Sequence, residues 1–443
     1  MRRQFTRCAI AAALLITNGA CWQLRAEEPL TVDEAINEAL ANHPAIKAGA
    51  ARIDQARAAH DAVWEMYAPQ LSAFGGLQRN EVSGSTITTA STGPGGTPTT
   101  IAQGFNQNDN RLMAGANVEE FLFDFGSFGA QRRSTDAAHR AQRNALETQR
   151  LDVALNVKRA YVGLLRVSRL VGYNRETVER RESRLAEITK TTSSAKRSHD
   201  LLQANADLAN AKLNLSRSES DYTNTEAKFL ESIGQPTRLT RKLVDDVTLK
   251  PISLTLEQAI QRSLSARPEL DQAQATIDAE EARVDAIAAS YLPRVSAFLG
   301  VSNLNGIGSS DLDRLTVISG GLSVAIPTAR LVSGARLEQE QAVLAEAKAR
   351  KLELEQSIAV GVNRSYAALF EAVDRVRVTQ DLAAKALASW NETQERYRRQ
   401  KATILESTEA YGLLYGARVS YIDAAYDAKV TEAELERAVG QNF

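Results

Sequence analysis

LTVDEAINEALANHPAI, residues 30–46, is written a second time as LTLEQAIQRSLSARPEL, residues 254–270. Pro44 and Pro268 set an offset of 224 positions, and Leu30/Leu254, Thr31/Thr255, Ala35/Ala259, Ile36/Ile260 and Leu40/Leu264 hold the same register. Further on, Ile53/Ile277, Asp54/Asp278 and Asp61/Asp285 keep it, and the copies close with YAPQLSAFGG (67–76) against YLPRVSAFLG (291–300). An ungapped match of this length marks two tandem copies of one structural unit.

Each copy opens with helices. Thr31 followed by Glu34 three residues later is a capping-box pattern that starts a helix over 31–42. His43-Pro44 breaks it, and a second helix over 45–66 ends before Pro69, because the residue preceding proline is pushed out of the helical region. The second copy repeats the pair over 255–266 and 269–290. Beyond Pro69 and Pro293 the apolar period changes to two: Leu71, Ala73, Gly75 and Leu77 in one copy, Val295, Ala297, Leu299 and Val301 in the other. Return strands follow through Leu112, Ala114, Ala116 and Val118, and through Ile318, Gly320, Leu322, Val324 and Ile326. Residues 83–100, rich in Ser, Thr, Gly and Pro, read as an exposed flexible loop joining the first hairpin, and residues 303–313 as a shorter one joining the second. Four strands are too few to close on themselves, since the smallest membrane barrels use about eight, so any barrel must be shared among subunits.

After each return strand comes a helical stretch with no proline, over about 129–190 and about 331–399. Some sixty residues at 1.5 Å each make a rod of roughly 90 Å. VKRAYVGLL (157–165) matches VNRSYAALF (362–370), so the rods are copies too. Each turns back through a short break, residues 191–194 or 399–403, into another helix. There Leu201, Leu208, Leu215, Tyr222 and Phe229 recur every seven residues, with Ala204, Ala211, Ser218, Thr225 and Ser232 three positions on, a coiled-coil seam with one large and one small stripe. The second copy keeps the small stripe as Ala410, Ala417, Ala424, Thr431 and Ala438. Gly234 and Gly440 suit helix C-caps.

Composition narrows the function. The 443 residues carry a net charge of −1, which gives no footprint for nucleic acid. His and Met are scarce, and no cofactor or metal-ligand cluster is indicated. The four histidines are scattered and no nucleophile sits in a recognisable setting, so no enzyme is expected. Arg2, Arg3 and Arg7 before the apolar run 8–16 read as an export signal within residues 1–26. Cleavage after Ala20 would expose Cys21, a candidate lipid-attachment residue because NGAC resembles a lipobox, with Asn18 where leucine is usual; cleavage after Ala26 is the alternative. No other segment offers the ~18 apolar residues of a membrane helix, so a membrane-crossing mature chain would cross as strands.

The resulting plan is repeat 1 over 27–235 (hairpin 70–124, helical hairpin 129–233), a connector over 236–253 with one short strand around 244–249, and repeat 2 over 254–443 (hairpin 294–327, helical hairpin 331–440). In this order, twice, the LTLEQAI-type opening, YAPQL and YLPRV, the FLFDFGS turn (121–127) and the seam ending in IGQ resemble the TolC family of outer-membrane channel proteins. The resemblance implies a mainly α chain with a membrane β-barrel portion. In a homotrimer its four strands would contribute to a shared 12-stranded β-barrel in outer-membrane lipid, and its helical hairpins to an α-barrel crossing the periplasm. It also implies a periplasmic adaptor and an inner-membrane transporter as partners, with the channel as exit duct for efflux or type I secretion. Aligned on the family's periplasmic tip, Glu406 and Glu409 fall where acidic residues ring the constriction, and Tyr397 where a tyrosine is bonded to an acid of the other hairpin, here Asp200. The family's turn glycine is replaced by Ser194 and Gln400, and the arginine of its closing network by Ala402, so the latch is expected to be weaker than the family's or built differently. Glu406 and Glu409 at helical spacing also have the pattern of a solvated face, and Asp200 that of a first-turn acid. A periplasmic coiled-coil adaptor or structural protein is the alternative, but it calls for one helical hairpin flanked by β-rich modules, not two equivalent ones.

Overall fold

The computed structural model describes residues 29–90, 99–191, 194–235, 241–245, 248, 254–306, 315–328 and 333–440. In chain order the elements are α1 (Val32–Asn42), α2 (Pro44–Glu65), β1 (Gln70–Ala90), β2 (Thr99–Phe123), α3 (Ser127–Thr191), α4 (Ser194–Ser232), α5 (Leu256–Ala266), α6 (Pro268–Ala289), β3 (Arg294–Gly306), β4 (Leu315–Ala325), α7 (Ala335–Arg398) and α8 (Ile404–Val439). They divide into two compact units. One comprises Met1–His43, Val153–Ile252 and Ala367–Glu434; the other comprises Pro44–Asp152, Ser253–Tyr366 and Leu435–Phe443.

Local chemistry explains the starts and stops. Thr31 caps α1, its hydroxyl accepting from the Glu34 amide while the Glu34 carboxylate takes the Thr31 amide, and Thr255 with Gln258 does the same for α5. Gly234 and Gly440 take positive φ where α4 and α8 end. The α7–α8 turn uses the same hydrogen bonds without glycine: the Gln400 amide donates to the Tyr397 carbonyl (2.9 Å) and the Lys401 amide to that of Arg396 (2.8 Å), with Gln400 at φ 58°. A side chain in that left-handed region costs about 1 kcal/mol relative to glycine.

In the unit holding the strands, β1-β2-β3-β4 form one antiparallel sheet in that order, with β1 and β4 as its edges. Register puts Leu71, Ala73 and Leu77 of β1 beside Val118, Ala116 and Leu112 of β2, then Leu299 and Val301 of β3, and Ile318 beyond Val301 on β4. These side chains stand in the open, Leu77 at 77% and Ile318 at 76% exposure. On the opposite face polar side chains bond across strands, Ser72 donating to Asn117 (2.6 Å) and Ser296 to Glu119 (2.9 Å), with the rings of Phe74 and Phe298 among them. Phe74 lies across from Gly115, where a Cβ would come within 2.7 Å of its ring, and Phe298 lies across from Gly321.

Residues 83–90 and 99–100, expected as loop, are strand: β1 and β2 remain paired out to Ala90 and Thr99. The reason lies in the β-branched content of STITTA and TTIA, which favours a pleated ladder over the turn that Ser and Thr alone suggested. Residues 91–98 and 307–314 lie outside the described residues. Of the connector strand expected around 244–249, residues 246, 247 and 249 lie outside the described residues; just before it, Leu243 forms a parallel bridge with Leu30.

In the helical unit, Ala204, Ala211 and Ser218 of α4 and Ala410, Ala417 and Ala424 of α8 are buried, so the small stripes face inward. The larger Leu201, Leu208, Leu215 and Tyr222 are only half-buried. The repeat's first residue is held alike in both copies. The Tyr161 hydroxyl lies 2.8 Å from the carbonyls of both Leu30 and Val244 and accepts the Val244 amide at 3.0 Å; in the other unit Tyr366, its counterpart, donates to Leu254 (3.2 Å).

Burial pushes the Tyr161 hydroxyl up to about 12, which the Val244 amide partly opposes. Its folded value exceeds the unfolded value of about 10, so the stability this group contributes is complete below pH 10 and is lost as pH rises through 12. Tyr161→Phe should therefore cost about 1–3 kcal/mol at neutral pH, and chemical denaturation should show the gap to wild type narrowing above pH 10. Gln400→Gly should raise stability by about 0.5–1 kcal/mol in the same assay by relieving the left-handed turn.

Candidate functional site

Tyr397, Glu406, Glu409 and Asp200 lie toward the end of the helical unit where α3 gives way to α4 and α7 to α8. A small apolar core forms there from Ile188 of α3, Ala204 of α4 and Ile404 of α8, with Leu185 and Tyr397 packed against it. Because this core draws on three helices, it fixes how the polar groups around it face.

Glu406 and Glu409 are exposed on the first turns of α8. Glu406 also serves the helix start: its amide donates to Thr403 Oγ1 (3.2 Å), and that hydroxyl lies 3.3 Å from its carboxylate, while Arg396 stands 4.0 Å away. A carboxylate in the first turn is favoured by the helix dipole, so Glu406 combines a capping role with an exposed charge. Asp200 is buried at 6% exposure, its carboxylate 3.8 Å from the exposed His199 ring. Among the described residues no hydrogen bond joins Asp200 to Tyr397. The Tyr397 ring lies instead under the Arg184 guanidinium, 4.0 Å from its centroid. Cys21 lies outside the described residues.

The polar links that do join the helices here come from residues the sequence reading passed over. Arg181 of α3 pairs with Asp207 of α4 at 3.1 Å, with both side chains largely buried, and the same carboxylate oxygen accepts the Thr408 hydroxyl of α8 at 3.1 Å. Arg181 also covers the Tyr411 ring at 4.3 Å, and Tyr411 meets Thr177 through its hydroxyl (3.2 Å) and Trp390 edge to face. One turn along α8, Tyr415 donates to Asn174 (2.8 Å) and stacks on Tyr173. Burial raises both Tyr173 and Tyr415 above the ordinary tyrosine value, which keeps the Tyr415 hydroxyl a donor. A groove of about 500 Å³ runs beside these contacts, lined by Arg181, Arg184, Glu187, Trp390, Gln394 and Ser407. The available signal was Arg181 and Arg184, three apart on one helix face, together with Tyr411 and Tyr415, four apart on another.

Chemically the arrangement is a seam of stacked rings, guanidinium groups and bonded carboxylates between helices, with exposed acids at its end. Among the described residues no helix is long and apolar enough to cross a membrane. The lipid-type surface is the apolar face of the sheet.

Comparison with known proteins agrees with this geometry. The outer membrane efflux protein family profile matches residues 35–235 and 259–441, which takes in both repeats. No curated protein sequence gives a significant match. Among solved structures, the outer-membrane channel OprN superposes with a TM-score of 0.73 at 19% identity, covering 93% of this chain and 90% of that one. CusC, whose structures concern folding and transmembrane channel formation, gives 0.74 at 17%, covering 93% and 92%. The CmeC outer membrane channel of Campylobacter jejuni gives 0.72 at 15%, covering 92% and 85%. At these identities the structures establish a shared fold; the profile match, over most of the chain, establishes kinship. The family comprises outer-membrane efflux channels that reach into the periplasm, transport proteins and not enzymes. The chain belongs to the outer membrane efflux protein family.

Proposed function

We propose that three copies of this chain close one outer-membrane pore and that the pore is the exit duct of a tripartite efflux pump or a type I secretion system. The observation that carries the reading is the four-stranded sheet, exposed and apolar on one face and largely polar on the other, whose edges β1 and β4 have no further partner strand among the described residues. In hydrocarbon an unpaired strand edge costs several kcal/mol per polar group, so the edges must find partners of the same geometry. Three such sheets, β4 of each beside β1 of the next, supply twelve strands and leave no edge. The apolar face then meets lipid and the polar face lines water. β4 spans 11 residues, close to the length a tilted strand needs to cross a bilayer.

On this reading the helical hairpins continue the pore into the periplasm, and the end carrying Glu406 and Glu409 is its aperture. Tyr397 and Asp200 belong to the same aperture, one as packing and the other as a buried acid. Threefold symmetry would set six carboxylates around the opening, a field that attracts cations. A periplasmic adaptor and an inner-membrane transporter would complete the pathway. Cys21 is proposed as a lipid anchor of the mature chain.

Purified in detergent, the protein should run as a trimer in light scattering and conduct ions in planar bilayers; a water-soluble, non-conducting monomer would contradict the duct. Replacing Glu406 and Glu409 together by glutamine should lower the cation-over-anion permeability ratio by about two-fold or more, measured as a reversal-potential shift in a salt gradient. An unchanged reversal potential would remove the two glutamates from the aperture.

A further inference from the structure

Resting on the duct reading, we infer that the periplasmic end is held together by guanidinium–tyrosine stacking, with Arg184 on Tyr397 as the releasable clasp and Arg181 on Tyr411 as the fixed anchor. Opening a pore walled by helical hairpins requires neighbouring hairpins to part at their ends, so whatever joins α3 to α7 and α8 there sets the threshold.

The two stacks differ in how well their arginines are satisfied. Arg181 has a carboxylate at 3.1 Å in Asp207, and that carboxylate is tied to α8 through Thr408. Pulling α8 away would break the Thr408 bond to Asp207 and the Tyr411 bond to Thr177 as well as the stack, while the Arg181–Asp207 pair, which joins α3 to α4, would stay. Arg184 has no such support. Its Nη1 and Nη2 are buried without a hydrogen-bond partner, and the nearest carboxylate, that of Glu187 one turn along α3, lies 3.5 Å away. The guanidinium therefore gives its face to the Tyr397 ring while Nη1 and Nη2 make no hydrogen bond, Nη1 meeting only the Glu187 charge. Such groups regain hydrogen bonds as soon as water reaches them, so parting Arg184 from Tyr397 returns part of what it costs. The adjoining groove between α3 and α7, about 500 Å³, gives the freed side chain room.

The position of Tyr397 suits it to be the part that moves. It stands one residue before the end of α7, three before Gln400, and its ring is shared between the Ile188, Ala204 and Ile404 core and Arg184. The clasp needs the ring and not the hydroxyl, since no bond from Tyr397 to Asp200 is present among the described residues. This separates the inference from a hydroxyl-to-acid latch at the same tyrosine.

The test uses the full-length protein in planar bilayers, with single-channel conductance and open probability as readouts and detergent-phase oligomeric state as a folding control. Tyr397→Phe, which keeps the ring, should show a lower open-to-closed ratio than Tyr397→Leu. Tyr397→Leu and Arg184→Gln should raise the open-to-closed ratio on the order of ten-fold, the effect of losing a desolvated cation–π contact. A double variant, Arg184→Cys with Tyr397→Cys, joined by a short thiol-to-thiol linker, should fall below wild-type open probability and recover when the linker is cleaved, a reversal that general destabilisation does not give. Tyr397→Phe as leaky as Tyr397→Leu would show a hydroxyl latch and overturn the inference, as would an unchanged Arg184→Gln. Absence of conductance from wild type and every variant would overturn the duct reading itself.

Discussion

Backbone polar groups cannot be left unpaired in hydrocarbon, and the rest of this protein can be read as the consequence. Among the described residues the strands form one four-stranded sheet with an apolar face and two open edges. A soluble protein would cover that face with helices, yet Leu71, Leu77, Ile318 and Leu322 remain at 70% exposure or more. Lipid is the covering the sheet awaits, and in the proposed trimer the sheets of neighbouring copies would pair its edges. The two repeats make this economical, because each supplies one hairpin to the sheet and one helical hairpin beyond it.

The duplication extends to particular interactions. Tyr161 reaches the Leu30 carbonyl and Tyr366 the Leu254 carbonyl, so each long helix holds the first residue of its own repeat. Phe74 faces Gly115 and Phe298 faces Gly321, so each hairpin spends a glycine to seat an aromatic ring. The copies diverge in strand length: β1 and β2 run to 21 and 25 residues against 13 and 11 for β3 and β4.

Much of the fold was legible because it rests on local rules. Thr31 with Glu34 announces a helix start, Pro69 and Pro293 announce its end, and the switch from helical period to alternation announces strands. The heptads of α4 showed a seam, and burial adds that the small stripe is its inner side. Residues 83–90 were misread because Ser and Thr are turn formers one at a time but strand formers when they flank isoleucine and find a partner strand. At the tip, Glu406 and Glu409 were legible as exposed acids at helical spacing. The bonds among Arg181, Asp207 and Thr408 were not, since they join positions 26 and 201 apart in the chain, and no local pattern states which distant arginine a tyrosine will meet. Asp200 shows the converse: its place beside a helix start was visible, while its burial away from the Tyr397 hydroxyl depends on how four helices pack.

The buried alanines of α4 and α8 bear on motion. Large interlocking side chains act as gear teeth, and displacing them along the helix axis means unpacking whole residues. Ala204 and Ala211, like Ala410 and Ala417, present a nearly smooth bearing surface whose contacts change little over a small axial slip. Shear between packed helices then meets low friction along their length, and resistance concentrates in the few contacts at the end.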